Sequence, residues 1–228
     1  MKFTNSLIKG KLLKRYKRFF ADIKVNSKII TAHCPNTGSM QGLLDEGNEV
    51  LVTEHDVPKR KLKFTLEIIK AKKRFIGVNT HRANKIVNHG LENKLIPEFK
   101  TIKNIRPEFK FSDDTRFDFL CDDNLLEVKN VTLFRENDIA EFPDAITSRG
   151  TKHLNMLIKS IKNGYKPYVL FLTQIQNINN FRIAKDIDQI YFENYKKAKK
   201  AGVKFLAYRC KLSSKEIKIE KKINILDD

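Results

Sequence analysis

Short runs of alternating apolar and polar residues fill the first third of the chain, with no long amphipathic segment between them. A period of two residues is typical of half-buried strands, and the polar pair Asn26-Ser27 between two such runs indicates a hairpin. Five short strands without an intervening helix predict a small closed barrel. The predicted strands are Phe19–Val25, Lys28–His33, Glu49–Thr53, Phe64–Ile69 and Arg74–Val78.

Helical and strand patterns alternate after residue 80. One helix is predicted from apolar residues at the spacing i, i+3, i+4 and i+7, namely Leu154, Leu157, Ile158 and Ile161. The uncharged run Tyr168–Leu172 is typical of a buried central strand. The order of elements predicts a mixed α/β sheet, in an α+β protein overall. We therefore predict an oligonucleotide-binding (OB) type barrel in residues 1–80 and an α/β domain in residues 81–228.

Composition narrows the class of protein. The chain has 228 residues, of which 41% are hydrophobic, so wholesale disorder is excluded. No apolar run reaches the roughly 18–20 residues of a membrane helix, and the N-terminus lacks the apolar stretch of a signal peptide. Three widely spaced cysteines without a CxxC motif argue against structural zinc and disulfides and favour the reducing cytoplasm.

The basic excess is spread along the whole chain. There are 45 Lys and Arg against 27 Asp and Glu, a formal charge of +18. Residues 1–80 hold 17 basic and 7 acidic residues, and residues 81–228 hold 28 and 20. Such an excess indicates a polyanionic partner, although a lysine-rich surface that only keeps the protein soluble has the same composition. A site is needed to decide between them.

One predicted hairpin contains acidic residues that are candidates for catalysis. If Asp122-Asp123 form a two-residue loop, Asp118 lies directly opposite Glu127, with Lys129 on the same face of the sheet. The other face is then predicted to bury its apolar residues, which are Phe117, Phe119, Leu126 and Val128. Two carboxylates this close favour a divalent metal, and a neighbouring lysine can orient the water that attacks a phosphodiester.

The same residues also have a structural interpretation. Asp118 with Lys129, and Glu127 with Arg116, could form diagonal ion pairs on a solvated sheet face, each contributing about 0–1 kcal/mol. A slip of one residue in the register would likewise separate the two carboxylates. Spacing alone therefore leaves both interpretations open.

Five sequence blocks contain or flank these residues, and the likeness that they carry extends over nearly the whole chain. They are Arg15–Phe19, His33–Gly38, Arg116–Phe119, Glu127–Leu133 and Phe142–Leu154. In this order they closely resemble the sugar fermentation stimulation protein A family. The resemblance implies an N-terminal OB-type barrel joined to a PD-(D/E)xK nuclease-like domain, and it implies nucleic-acid binding with nuclease activity.

The resemblance also assigns roles to residues. Asp118 matches the first motif aspartate, and Glu127 and Lys129 match the (D/E)xK pair, so these three are the predicted catalytic residues. Phe117 stands where the superfamily name has proline, at a loosely kept position. Pro143-Asp144 follows the Glu-Val-Lys motif instead of preceding it, so a turn that leads into a helix is the better interpretation of that dipeptide.

The expected cofactor is Mg²⁺ or Mn²⁺. Asp118 and Glu127 are the predicted ligands, with the carbonyl of Val128 as a further one. Many such nucleases carry a third acid on the helix before the sheet, where this chain has His89. Glu108, on the first strand of the meander, is the better match to a family glutamate and is included as a metal ligand.

Basic residues near aromatic ones predict contacts with a phosphate backbone. The predicted nucleic-acid-binding residues are Arg15, Lys17, Arg18, Lys59, Arg60, Lys61, Arg116, Arg149, Lys152 and His153. Aromatic side chains such as Tyr16 and Phe19 stack on bases or pack in the core, and for Phe19 we expect the core. For His153, a substrate-side role and a capping or core role stay equally open.

The leading hypothesis is a metal-dependent nuclease that acts on DNA, with RNA as the less favoured substrate. The alternative is a non-catalytic DNA-binding transcriptional regulator linked to sugar metabolism. A sugar-metabolic enzyme is a third class, but the sequence has neither a GxGxxG nor a Walker A motif. We expect nucleic acid as the partner and no membrane, and the pattern leaves homo-oligomerisation open.

Overall fold

A closed barrel forms the N-terminal part of the protein. The computed structural model describes residues 1–58, 60–136 and 138–226. Six strands make up the barrel sheet: β1 (Ile8–Tyr16), β2 (Phe20–Val25), β3 (Lys28–His33), β4 (Glu49–Glu54), β5 (Phe64–Ala71) and β6 (Arg74–Gly77). Their order is β3-β2-β1-β4-β5-β6, and a parallel pairing of β3 with β5 closes the sheet. The predicted OB-type barrel is confirmed.

Strand β1 is not among the five strands that the sequence pattern predicts. Within it only Gly10 and Leu12 are buried, so a glycine stands at one of the two positions where an apolar side chain would reveal the alternation. A Cβ on Gly10 would lie 2.5 Å from Ile23 Cγ2 and 2.9 Å from the Lys24 carbonyl oxygen. The glycine thus permits the close approach of β1 and β2.

A mixed sheet with helices on both faces follows the barrel. Its strands are β7 (Ile105–Ser112), β8 (Thr115–Cys121), β9 (Asn124–Val131), β11 (Lys166–Thr173), β13 (Lys204–Leu212) and β14 (Ile217–Lys222), in the order β14-β13-β11-β9-β8-β7. A smaller sheet contains β10 (Ile139–Phe142), β12 (Asn180–Ile183) and β15 (Asn224–Ile225). The helices are α1 (Ala83–Glu92), α2 (Ser148–Ile161) and α3 (Gln189–Ala201), with 3₁₀ turns at Thr80–Arg82 and Pro97–Phe99.

The large sheet is buried on both faces. Leu154 of α2 and Tyr191 of α3 share a core with Phe171 of β11. Ile86 of α1 shares a second core with Leu126 of β9. Strands β9, β11 and β13 are parallel, whereas the outer strands are antiparallel, so the predicted mixed sheet is confirmed. Across the described ranges, every helix is too short or too polar to cross a lipid bilayer.

Backbone hydrogen bonds join the barrel to the α/β domain. Gly77 N donates to the Gln174 carbonyl (2.8 Å), and Gln176 N donates to the Phe75 carbonyl (3.0 Å). A Cβ on Gly77 would lie 2.4 Å from Gln174 Oε1, so any larger residue here would have to displace the Gln174 side chain. The end of β6 is thereby fixed against the carboxyl end of β11.

A buried carboxylate fixes the connection between the two parts. Glu67 on β5 is 1% exposed. Its oxygens accept hydrogen bonds from Thr53 Oγ1 (2.9 Å), Asn79 Nδ2 (2.9 Å) and the Arg82 guanidinium (2.7 and 3.1 Å). Since Asn79 and Arg82 lie at the two ends of the 3₁₀ turn before α1, Glu67 sets where α1 begins relative to the barrel.

Replacing Glu67 with glutamine is expected to lower the free energy of unfolding by about 2–4 kcal/mol, because the Arg82 guanidinium loses its charged acceptor. Urea denaturation measures this change. The matched control is Glu49→Gln, which breaks an ion pair with Lys9, whose side chain is 66% exposed, and which changes stability by at most about 1 kcal/mol. Equal, small losses in both variants would contradict the role given to Glu67.

Candidate active site at a fork between two strands

Strands β8 and β9 separate halfway along their length and form a fork. Their register runs from the pair Cys121–Asn124 to the pair Phe119–Leu126, as predicted, and ends there. Beyond this point β8 continues along β7, whereas β9 continues along β11 as far as Val131. The predicted direct pair of Asp118 and Glu127 is therefore wrong, because the two strands have already parted where these residues lie.

Asp118 lies at the root of the fork. Phe117 packs in the core that contains α2, and Phe119 packs in the core that contains α1. A regular strand would place both rings on one face, as the sequence predicts, so β8 is irregular at Asp118. The Asp118 carboxylate accepts hydrogen bonds from the Val128 amide (Oδ2, 2.7 Å) and from Asn84 Nδ2 (Oδ1, 2.7 Å). It thus bridges β9 and α1.

Glu127 points to the α2 side of the sheet and is almost fully buried. Its Oε1 accepts hydrogen bonds from Lys129 Nζ (2.6 Å) and His153 Nδ1 (2.5 Å). His153 Nε2 in turn accepts a hydrogen bond of 3.5 Å from Arg149 Nε. The ion pair with Lys129 lies within one strand, so it replaces both diagonal ion pairs that the structural interpretation of the sequence expects.

The two carboxylates have opposite pKa shifts. Burial and the negative charge of Glu127 raise the pKa of Asp118 to about 6, against an ordinary value of 3.8. Burial also acts to raise the pKa of Glu127, but the Lys129 ammonium and the His153 hydrogen bond outweigh it and lower that pKa. The site therefore holds one firmly ionised carboxylate beside one that is ionised with difficulty.

The two carboxylates fit a divalent cation. Glu127 Oε2 is buried and, in the part of the chain that the structure describes, has no hydrogen-bond partner. A cation beside it would satisfy this oxygen and would relieve the repulsion that raises the pKa of Asp118. Hard carboxylate oxygens suit Mg²⁺ or Mn²⁺. Among the described residues, however, no cluster of three or more His, Cys, Asp or Glu side chains is arranged to hold a metal.

The other two predicted ligands lie close to Asp118 in the fold. The Val128 amide binds the Asp118 carboxylate, and the role of the Val128 carbonyl stays a prediction. The register of β7 with β8 pairs Pro107 with Phe119 and Phe109 with Phe117, which sets Glu108 opposite Asp118. Glu108 is exposed and has a positive φ of 52°.

A cavity of about 830 Å³ opens on the α1 side of Asp118. Asn84, His89 and Glu108 contribute to its wall. His89 Nδ1 is buried, and no described residue hydrogen-bonds to it. Asn84 is the main site residue that the sequence analysis misses, since an asparagine in the first turn of a helix carries no signal of a carboxylate partner.

Most of the predicted nucleic-acid-binding side chains are exposed. These are Lys17, Arg18, Arg60, Lys61, Arg116, Arg149 and Lys152. Lys59 lies outside the described residues. Lys152 Nζ donates to Asp114 Oδ2 (2.8 Å), in a pair where both side chains are solvated. Arg149 and Lys152 lie in the first turns of α2, on the side of the fork that Glu127 faces.

Three residues lie elsewhere than expected. His153 is 7% exposed and binds Glu127, so the structure favours its core interpretation over contact with substrate. The Arg15 guanidinium is half-buried and donates to backbone carbonyls of the barrel. Phe19 is 45% exposed, so the expectation that it belongs to the core is wrong.

The fold and the fork define a class of protein in which an OB-type barrel is fixed to an α/β domain that presents two carboxylates and a lysine. Family models match both parts: "SfsA N-terminal OB domain" over residues 13–78 and "Sugar fermentation stimulation protein RE domain" over residues 81–216. The chain belongs to the sugar fermentation stimulation protein (SfsA) family, as the sequence blocks predict.

Relatives and a solved structure agree with this assignment. The sugar fermentation stimulation protein homolog of Pelagibacter ubique is 64% identical, over 100% of both chains. The homolog of Alteromonas mediterranea is 41% identical, over 99% of this chain and 100% of its own. The structure of Pyrococcus furiosus SfsA in complex with Ca²⁺ superposes with a TM-score of 0.88 at 24% identity, covering 100% of this chain and 98% of that one. This last similarity shows that the fold is shared.

In metal-free buffer, Asp118→Asn is expected to stabilise the protein above pH 6 by about 1–3 kcal/mol. The pKa of Asp118 is higher in the folded protein than the ordinary value of 3.8. Ionisation therefore lowers stability progressively between about pH 4 and pH 6, and the loss persists above that range. The asparagine oxygen can accept from the Val128 amide, and its NH2 group can donate to Asn84 once the Asn84 side chain turns its carbonyl oxygen toward it.

Urea denaturation from pH 4 to pH 7.5 in EDTA measures this effect. The variant and the wild type should be nearly equal at pH 4 and diverge towards pH 6. The control is Asp123→Asn, since the pKa of that exposed carboxyl is lowered by Lys166, so its removal does not stabilise. A less stable Asp118→Asn protein at pH 7.5 would contradict the prediction.

Proposed function

We propose that this protein is a metal-dependent nuclease that hydrolyses phosphodiester bonds in DNA, with RNA as the less favoured substrate. The observation that carries the proposal is the buried, unpartnered Glu127 Oε2 near Asp118, whose pKa is raised. The negative charge of Glu127 contributes to the raised pKa of Asp118, and a cation bound by both carboxylates would relieve that repulsion.

Each residue of the fork has a defined part in this reaction. Asp118 and Glu127 would hold Mg²⁺ or Mn²⁺, which lowers the pKa of a bound water and neutralises phosphate charge. Asn84 and the Val128 amide fix the orientation of Asp118, and His153 fixes Glu127. Lys129 donates to Glu127 Oε1 and would position the attacking water. The complex of Pyrococcus furiosus SfsA with Ca²⁺ also supports a hard cation as ligand.

The open end of the fork is suited to a polyanion. The two arms of the fork are β8 with β7 and β9 with β11. Arg116 lies on the β8 arm, and Arg149 and Lys152 lie at the start of α2, where a helix N-terminus adds its own attraction for phosphate. These side chains would bind backbone phosphates without reading sequence.

Cleavage by purified protein with Mg²⁺ or Mn²⁺ is expected to fall by at least about 100-fold in Asp118→Asn, Glu127→Gln and Lys129→Met. Single- and double-stranded DNA and RNA should each be tested, with EDTA expected to abolish cleavage. The control is Lys166→Met, which removes a lysine with a 62% exposed side chain at the other end of the sheet. Cleavage that survives all three site variants would refute the proposal.

A second candidate function is DNA binding without catalysis, as in a transcriptional regulator. The observation that favours it is that the described residues include no cluster of three potential metal-ligating side chains. Binding that persists in EDTA, with no cleavage of any substrate in any metal, would select this function over the first.

Binding to a labelled duplex in EDTA is expected to weaken steeply with salt, because each neutralised phosphate contributes about −0.9 to the slope of log K against log salt. Arg149→Gln should reduce the slope by about one. The control is Lys215→Gln, in the exposed turn before β14, which should leave the slope unchanged. If the affinity is the same at low and moderate salt, the basic residues do not bind phosphates, and their excess serves only to keep the protein soluble.

A further inference from the structure

An exposed hairpin loop combines two aromatic and two basic side chains. Tyr16, Lys17, Arg18 and Phe19 connect β1 to β2, and all four are exposed. We call these four residues the hairpin tip. Tyr16 is 36% and Phe19 is 45% exposed, which is unusual for large rings beside a well-filled barrel core.

The backbone of the tip is strained for the residues it contains. Lys17 and Arg18 both have left-handed backbone conformations, with φ of 47° and 61°. Two consecutive residues of this kind are typical of a type I′ turn, where asparagine and glycine dominate because a larger side chain is disfavoured. Their replacement by lysine and arginine indicates that the charges at this turn matter more than the stability of the turn.

The two aromatic rings of the tip are both exposed but differ in their surroundings. The Tyr16 ring stacks on Phe20, with centroids 5.4 Å apart and an interplanar angle of 16°. Lys14 Nζ lies 5.5 Å from the centre of the same ring. Phe19 is the more exposed of the two rings. Such a surface, surrounded by cations, is what proteins use to stack on unpaired bases while binding the flanking phosphates.

The tip is held rigidly by its neighbours. Arg15 Nε donates to the Arg18 carbonyl (3.1 Å), and Arg15 Nη2 donates to the carbonyls of Asn36 (2.7 Å) and Gly38 (3.2 Å). The Phe19 carbonyl accepts a hydrogen bond from Cys34 N (2.8 Å). Arg15, which the sequence analysis assigns to phosphate, is therefore the residue that positions the tip.

The same contacts connect the tip to the candidate active site. Gly38 lies against Asp144, whose Oδ2 would be 2.0 Å from a Cβ at that glycine. Asp144 belongs to the loop that leads into α2, and α2 carries Arg149 and His153. A series of contacts therefore runs from Arg15 through Gly38 to the loop before α2.

We propose that the hairpin tip binds unpaired nucleobases by stacking on Phe19 and Tyr16, with Lys17 and Arg18 on the adjacent phosphates. The proposal rests on the proposed nuclease function and specifies its substrate class as nucleic acid with a single-stranded segment. In a duplex the bases are already stacked on each other and do not present a free face to the rings. The tip would therefore favour single strands, tails and frayed ends.

Fluorescence polarisation with the full chain in EDTA tests the proposal on two labelled probes, a single-stranded DNA of about 16 nucleotides and a blunt duplex of the same sequence. Phe19→Ala is expected to weaken single-strand binding by about 5- to 100-fold and duplex binding by less than about 2-fold. Phe19→Trp should restore single-strand binding. The control is Ile29→Ala, which removes another exposed apolar side chain (68% exposed) of the same barrel.

A second variant separates binding from folding. Lys17→Asn combined with Arg18→Gly supplies the residues that the turn prefers, so the thermal midpoint is expected to rise by about 2–4 °C. Single-strand affinity should nevertheless fall, and the magnitude of the salt slope should decrease by about 1.4, since each single-strand phosphate contact contributes about 0.7. An unchanged affinity in this more stable protein would overturn the proposed phosphate contacts.

The outcomes distinguish this proposal from the proposed function. Wild-type protein that cleaves DNA while Phe19→Ala binds single strands normally would overturn the tip proposal and leave the nuclease function intact. Equal loss of single-strand and duplex binding in Phe19→Ala would overturn stacking in favour of insertion into a groove. Wild-type protein that neither binds nor cleaves any nucleic acid would overturn both proposals.

Discussion

The candidate site depends on one hydrogen bond, from the Val128 amide to the Asp118 carboxylate. Strand β9 is paired with β11 along its whole length. Its other edge is paired with β8 only from Asn124 to Leu126. An amide left bare at that point inside the sheet would be costly, and the carboxylate satisfies it. The separation of the strands and the position of Asp118 are therefore one structural feature, in which the side chain takes over where the backbone pairing ends.

The two carboxylates are held by different elements, and this explains their different electrostatics. Asp118 is fixed by neutral donors from α1 and β9, which do not offset the cost of burying its charge. Glu127 is fixed by Lys129 and His153 on the opposite side of the sheet. Glu127 therefore has a cationic partner within the site, whereas Asp118 has none among these contacts. This difference leaves a local negative centre in a strongly basic protein, and this centre is where the proposed cation would bind.

The sequence predicts the fold more completely than it predicts the geometry of the candidate site. The barrel, the mixed sheet and the register from Cys121–Asn124 to Phe119–Leu126 follow from alternation and turn chemistry, and the structure has all three. Two features cannot be predicted from alternation and turn chemistry. They are the strand that contains Gly10 and the fork at Asp118. A glycine leaves no hydrophobic signal, and the point where two strands separate depends on tertiary partners such as Asn84 that no local pattern reveals.

The structure changes the interpretation of three residues whose burial the sequence does not reveal. The sequence analysis treats Arg15 as a contact for nucleic acid and Phe19 as core, and it leaves His153 open between the two. The structure places Arg15 and His153 against carbonyl and carboxylate oxygens and exposes Phe19. A long polar side chain can donate to buried acceptors as well as to solvent. The conformation of a hairpin loop can also leave an aromatic ring exposed. Because a rigid guanidinium fixes the loop, the exposed ring needs little ordering on binding. That lowers the entropy cost of any contact it makes and favours a recognition role over accidental exposure.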